Sequence, residues 1–307
     1  NSDGTILEPT IHETGMHLYT THYPMITNSA ATAIYDTDSQ GHFYCIGFVN
    51  TNSSFGRDGV VNNIFGEILY ISYLGCFFKA KPSINTNTSV HKIIGGNLIM
   101  CEVVAEPDSD NLSSVLNATG THNSLIADSR FYGPGKTQSI SASTAHNIIR
   151  TSNVVGTHIL YSLIADGATD GFHFDATSAG RNTVIYKNTF VNLAGDAMDF
   201  QELDTSTQGH RVEGNIAFNV DGNFIESDAE GKLISSKNSY SGSGAYFNGV
   251  TEFSVTNTEV TSATGDFFDY VNGDYRVRRT SNVFNRFKGS GNMGAFQNED
   301  FEFVSVS

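Results

Sequence analysis

Short apolar runs recur along this chain at a nearly constant step, and that step restricts the available folds more than any other feature. The first runs are HFYCIGF at 42–48, EILYISYL at 67–74, NLIMCEVV at 97–104 and NSLIADSRF at 123–131. Taking Phe43, Leu69, Leu98 and Leu125 as equivalent gives steps of 26, 29 and 27 residues. The series continues with NIIRTSNVV at 147–155, TVIYKNTFV at 183–191, RVEGNIAFN at 211–219 and KLISSKNSY at 232–240. One run, HILYSLIAD at 158–166, falls out of step. It reads as a strand on a different face or as an inserted loop. Helical periodicity is nearly absent, and each run is closed by Gly, Asn or Asp, so the runs read as strands.

A second column advances with the first: DGFHFD at 170–175, DAMDFQ at 196–201 and GNFIES at 222–227, offset by 26 and 26. Two columns moving together describe a coil whose equivalent strands pair in parallel from turn to turn. Phe172 and Phe174, Met198 and Phe200, and Phe224 alternate toward the interior. Asn188, Asn215 and Asn238, spaced by 27 and 23, each end a strand. There Asn tolerates a left-handed backbone, and its amide can pair with the Asn one turn away. The competing arrangement is a β-sandwich, which does not require constant spacing between non-adjacent strands. The expected fold is therefore all-β, a parallel β-helix over 41–250. Residues 1–40 would form an N-terminal cap and 251–307 a strand-rich C-terminal cap, because an open coil end exposes strand edges and apolar core.

TVIYKNTFVNLAGDAMDF and RVEGNIAFNVDGNFIES resemble coils of right-handed parallel β-helix proteins of the pectin-lyase-like group. The segment GDYRVRRTSNVFNRFKGSGNMGAF at 273–296 resembles their C-terminal closing segment. The resemblance spans roughly residues 41–296 and implies a right-handed, single-stranded coil. The group holds polysaccharide lyases, glycoside hydrolases, epimerases, phage tailspikes and adhesins, so it fixes no activity.

Lys+Arg number 17 against 32 Asp+Glu, a formal charge of −15. Such a chain repels phosphate backbones and anionic lipid, which argues against nucleic acid and membrane surfaces as partners. No apolar run reaches the roughly 18 residues of a membrane span. Only 16% of residues are charged, and Asn, Ser, Thr and Gly take their place. With Asn1 first and no signal peptide visible, the chain reads as processed or trimmed, and its composition suits an extracellular, secreted protein or a virion surface. Cys45, Cys76 and Cys101 sit in or beside apolar runs and read as buried reduced thiols, since no C-x-x-C spacing supports a metal.

In a β-helix the chemistry lies on the outer face. With Phe172 and Phe174 inward, His173 and Asp175 point outward; with Met198 and Phe200 inward, so do Asp199 and Gln201. His173 then stands above Asp199, with Asp170, Asp196, Glu202 and Asp204 at the edges. Carboxyls beside a His are what glycosidic hydrolysis needs: one protonates the leaving oxygen, another acts as base or nucleophile. The candidate catalytic set is Asp170, His173, Asp175, Asp199 and Glu202, although Gly-Asp and Asp-Gly pairs are also ordinary turn chemistry. Asp196 and Asp199 are hard oxygen donors that could hold calcium. In lyases of the resembled group, calcium neutralises a uronate while a Lys or Arg removes a proton; here that role would need a cation on the same face, and Lys187 and Arg150 lie in the first column while Arg181 precedes a strand, none fixed by a motif. His122, His146, His158 and His210 recur before strands in similar phase and read as a solvated edge row. Tyr240, Tyr246 and Phe247 could stack on sugar rings.

Two functions follow. One is a carbohydrate-active protein that cleaves a polysaccharide or cell-surface glycan, as hydrolase or lyase. The other is a non-catalytic surface protein, such as a tailspike-like receptor binder, capsid decoration, adhesin or filament subunit, assembling as a homotrimer or larger array.

Overall fold

The computed structural model describes residues 25–28, 35–36, 41–50, 61–62, 71–80, 88–106, 112–137, 147–152, 156–175, 182–201, 210–227, 232–249, 252–255, 264–278, 281, 283 and 294–295. These residues form a parallel β-solenoid, with no α-helix among them. A full turn carries three short strands. One turn contains Thr157–Leu160, Leu163–Gly167 and Phe172–Asp175; the next contains Val184–Tyr186, Thr189–Leu193 and Met198–Phe200. The middle strands of successive turns stack into a nine-stranded parallel sheet. The first and third strands belong to a 14-stranded sheet, joined because Thr88–Ile99 and Leu112–Ala127 run through both columns. At the joint, Gly96 has φ +94°, and a Cβ there would meet the Ile71 carbonyl oxygen at 2.1 Å. Only glycine fits so close to backbone.

The register corrects the sequence reading in three places. Phe43 pairs with Tyr73, not Leu69, and the row continues through Leu98, Ile126, Ile159, Ile185 and Val212. The out-of-step run 158–166 is thus a regular member of the first column and runs on into the second. NIIRTSNVV is the misplaced one: Asn147–Ser152 stacks on Phe172–Asp175 in the third column. In that column Phe172 pairs with Met198 and then Ile225, one residue beyond the expected Phe224. Short apolar runs of like composition cannot be assigned to a column by spacing alone.

The interior is dry and made of stacked like residues. Phe43 lies flat on Tyr73 at 5.3 Å, and Phe48 on Phe78 at 5.2 Å. Phe172, Phe174, Phe190, Phe200 and Phe224 are fully buried. Each such ring contributes about 1.5–3 kcal/mol by leaving water.

Between the first and second strands of each turn the chain bends sharply through one left-handed residue: Cys45, Gly75, Met100, Asp128, Tyr161, Lys187, Gly214 and Lys237. The Asn of the expected ladder is the residue that follows, so the left-handed conformation falls one position earlier than the sequence suggested. The ladder itself is present. The Ser162 N–H donates to Asn188 Oδ1 at 2.8 Å, Asn188 N–H to Asn215 Oδ1 at 2.8 Å, and Asn215 N–H to Asn238 Oδ1 at 2.9 Å. It extends further than predicted: Ser129 N–H donates to Ser162 Oγ, and Cys101 N–H to Ser129 Oγ. Non-glycine residues in this region cost about 1–3 kcal/mol each, and the buried amide ladder offsets that strain.

Cys76 and Cys101 are buried and free, as expected, but Cys45 is exposed. It occupies the left-handed position, where the side chain leaves the core. Glu252–Val255 pairs with Lys232–Ser236, which continues the first column beyond residue 250. Thr264–Val277 lies on the outer side of the nine-stranded sheet. There Phe267, Tyr275 and Val277 pack with Val283 against Tyr132, Leu163, Ala165, Val191 and Ile216. Met25–Asn28 pairs with Gly47–Asn50 in the same sheet; most of residues 1–40 lie outside the described residues. No helix among the described residues is long and apolar enough to cross a membrane.

Candidate functional site

The third column carries the site. Its strands are short because a buried inner pair is followed at once by turn residues, and strand alternation sends every second side chain outward. Arg150 pairs with His173, His173 with Asp199, and Asp199 with Glu226. Lys92 and Asn117 extend the row upward, and Asn248 extends it downward. By register the row therefore passes from Lys92 and Arg150 to Asp199 and Glu226.

His173 and Asp199 are brought together as the sequence predicted. The His173 Nδ1 and Asp199 Oδ2 lie 2.8 Å apart. Although it faces outward, His173 is only 4% exposed. Asp170 joins them: its carboxylate, the His173 ring nitrogen and the Asp199 carboxylate offer donor atoms that all lie within 4.8 Å of one another. The other oxygen of Asp199, Oδ1, is buried and has no hydrogen-bond partner among the described residues.

Asp170 and Asp196 are placed by turn chemistry. Asp170 Oδ1 accepts the Asp196 backbone N–H at 2.8 Å, Asp196 Oδ1 accepts the Asn223 N–H, and Asn223 Oδ1 accepts the Ala245 N–H at 2.9 Å. A glycine, Gly195, Gly222 or Gly244, precedes each rung after Asp170. A Cβ at Gly195 would come within 2.2 Å of Asp170 Oδ1, and one at Gly222 within 2.4 Å of Asp196 Oδ1. The turn reading of these Gly-Asp pairs holds, and the same turns also deliver carboxyl groups beside His173.

Burial and neighbouring charge hold protons on this patch. Desolvation raises Asp170 to about 6, with the Asp199 charge adding and the Asp196 N–H opposing. Desolvation, with hydrogen bonding to Glu226, raises Asp196 to about 8. Glu226 Oε2 in turn accepts from Asn223 Nδ2 at 3.0 Å.

Other predicted residues fall elsewhere. Asp175 pairs with Ser152 at the end of the same strand, and its side chain lies outside the described residues, as do Glu202 and Asp204. Arg181 also lies outside them. Lys187 is buried in the first-column turn, 5.4 Å from the Tyr186 ring. Arg150, expected in the first column, stands one rung from His173. The histidines do not form one row: His158 is exposed, whereas His210 is buried against the rings of Phe174 and Phe200. Tyr240 and Tyr246 pack on Phe224 at the lower end of the core. Glu226 was missed because GNFIES was aligned one residue out, which put Ile225 where Glu226 belongs.

Calcium takes six to eight oxygen ligands. The clustered donors are two carboxylates and one imidazole nitrogen, and Asp196 Oδ1 is engaged by the Asn223 N–H. Among the described residues this set supplies fewer oxygens than calcium takes, and the side chains of Asp175 and Glu202 lie outside them. Comparison with known proteins finds no matching family model, no matching curated protein and no matching solved structure.

Proposed function

We propose that this protein is an extracellular or virion-surface glycoside hydrolase that cleaves a polysaccharide at the outer face of the third column. The observation that carries the proposal is the 2.8 Å His173–Asp199 pair with the Asp170 carboxyl beside it. Two carboxyls with different proton affinities are the minimum equipment for this reaction. Asp170, raised to about 6, is the proton donor: its Oδ1 is occupied by a backbone N–H, which leaves Oδ2 for the glycosidic oxygen. Asp199, held through Oδ2 by His173, is the second carboxyl of the pair.

Inverting hydrolysis seats a water between carboxyls about 6.5–9.5 Å apart, whereas the double-displacement route uses about 5–5.5 Å; the anomeric configuration of the released sugar decides between them. A lyase would need a cation acting as base; Lys187 is buried away from this face, and Arg150, one rung from His173, is the cation that such a reading would use.

The test is incubation of the protein with a broad polysaccharide panel, reading reducing ends and ultraviolet-absorbing unsaturated ends. The wild type should release reducing ends without unsaturated ones. Asp199→Asn and His173→Ala should each lower the rate by about 100-fold or more with unchanged circular dichroism. Variants as active as wild type would refute the assignment. Silence of the wild type across the panel would favour the non-catalytic surface role.

A further inference from the structure

Cys76 and Cys101 occupy the same position on successive turns. The residues after them, Phe77 and Glu102, are paired, and the Glu102 N–H donates to the Cys76 carbonyl at 2.9 Å. Both side chains are fully buried and both thiols are free. The two thiols are neighbours that perturb one another: Cys101 lowers the Cys76 pKa, while burial and Cys76 raise that of Cys101. Neighbouring rungs of a parallel stack lie about 4.8 Å apart, inside the span of roughly 4.4–6.8 Å that a disulfide requires between Cα atoms.

Their place in the fold adds a second argument. Cys76 and Cys101 head the turn ladder whose later rungs are Ser129, Ser162, Asn188, Asn215 and Asn238. Those rungs are tied by hydroxyl and amide hydrogen bonds. The thiols donate instead to carbonyls of the preceding turn, Cys76 Sγ to Phe43 at 3.5 Å and Cys101 Sγ to Tyr73 at 3.4 Å, and a thiol is the weaker donor. Cys45, the third thiol, lies at the left-handed position and is exposed.

We infer that Cys76 and Cys101 are a cross-linking site, joined as a disulfide between adjacent rungs when the chain folds in the presence of a small-molecule disulfide. The Cys76 thiolate attacks one sulfur of the oxidant RSSR and expels RS⁻, which takes up a proton. The Cys101 thiolate then attacks the Cys76 sulfur, forming the bridge and releasing the second RSH. One disulfide is consumed, one is formed, two thiols are oxidised and two are produced, so no further oxidant is needed. This inference does not depend on the proposed hydrolysis.

The full chain is unfolded and reduced, then refolded with and without excess oxidised glutathione, and its thiols are counted under denaturing conditions. Without oxidant all three cysteines should count as thiols. With it, only one should remain, and peptide mapping should show residues 76 and 101 linked. The bridged protein should melt about 5 °C or more higher, reversed by dithiothreitol. Cys45→Ser should still form the bridge. Cys101→Ser, which copies the Ser129 rung, should fold and form none. Three thiols after oxidation, a bridge containing Cys45, or a bridged protein that melts lower would each overturn the inference.

Discussion

His91 shows how one side chain in this core links to pH. It lies inside the long strand Thr88–Ile99, stacked on Phe78 at 4.1 Å and edge-on to Tyr73 at 4.9 Å. Among the described residues neither ring nitrogen has a partner. Burial in apolar surroundings pushes its pKa down to about 3. The unfolded chain therefore takes up a proton near the ordinary histidine value of about 6.5, while the folded chain refuses it until about 3. Stability from this residue is fully present above the unfolded value and is lost as pH falls toward the folded one, by about 1.4 kcal/mol per pH unit. His91→Leu should remove that slope: between pH 6.5 and 4 the urea midpoint of the wild type should fall more than that of the variant. Asp170 and Asp196, raised by burial, work in the opposite sense, and the variant comparison cancels them. The same local reasoning explains the site. His173 and Asp199 were legible from alternation alone, because one residue in and one residue out places both on the outer face. Glu226 was not legible, because a slip of one residue exchanges an inner for an outer side chain.

At the scale of an element, the turn ladder is the part of the solenoid most exposed to single substitutions. Asn215 accepts the Asn188 N–H through Oδ1 and donates through Nδ2 to the Ile185 carbonyl at 2.9 Å and to Asn238 Oδ1 at 3.0 Å. Removing it strands a buried N–H and a buried carbonyl at once. Asn215→Ala should cost about 2–4 kcal/mol, measurable as a lower urea midpoint. Asn219→Ala, at an exposed position, should cost less than half as much despite its own hydrogen bonds. If the two substitutions destabilise equally, buried satisfaction is not what holds the turns. The Asn steps of 27 and 23 announced this element. Its continuation into Ser162, Ser129 and the two thiols was hidden by the change of residue type, since spacing alone carries no sign that Ser or Cys fills an Asn position.

At the scale of the whole molecule, the nine-stranded sheet carries apolar residues on both sides. Its outer row of Leu163, Val191, Ile216 and their neighbours is covered by Phe267, Tyr275 and Val277. The cover is pinned by Tyr275 OH, which accepts from Asn192 Nδ2 at 3.0 Å, and by Tyr270 OH, which accepts from Asn219 Nδ2 at 2.9 Å. Phe267→Ala should cost about 3 kcal/mol and uncover an apolar face, read as increased binding of a hydrophobic dye and concentration-dependent light scattering. A variant that melts like wild type and stays monodisperse would show the cover to be dispensable. The sequence by itself determined the architecture, because a period of some two dozen residues with alternating apolar positions is satisfied by parallel stacking of like on like. It also placed His173 over Asp199. Tertiary structure alone decided which run joins which column, that Arg150 and Glu226 flank the site, and that residues 264–277 lie along a sheet face. Those outcomes depend on register and long-range packing, where runs of equal hydrophobicity are interchangeable until the whole stack selects one alignment.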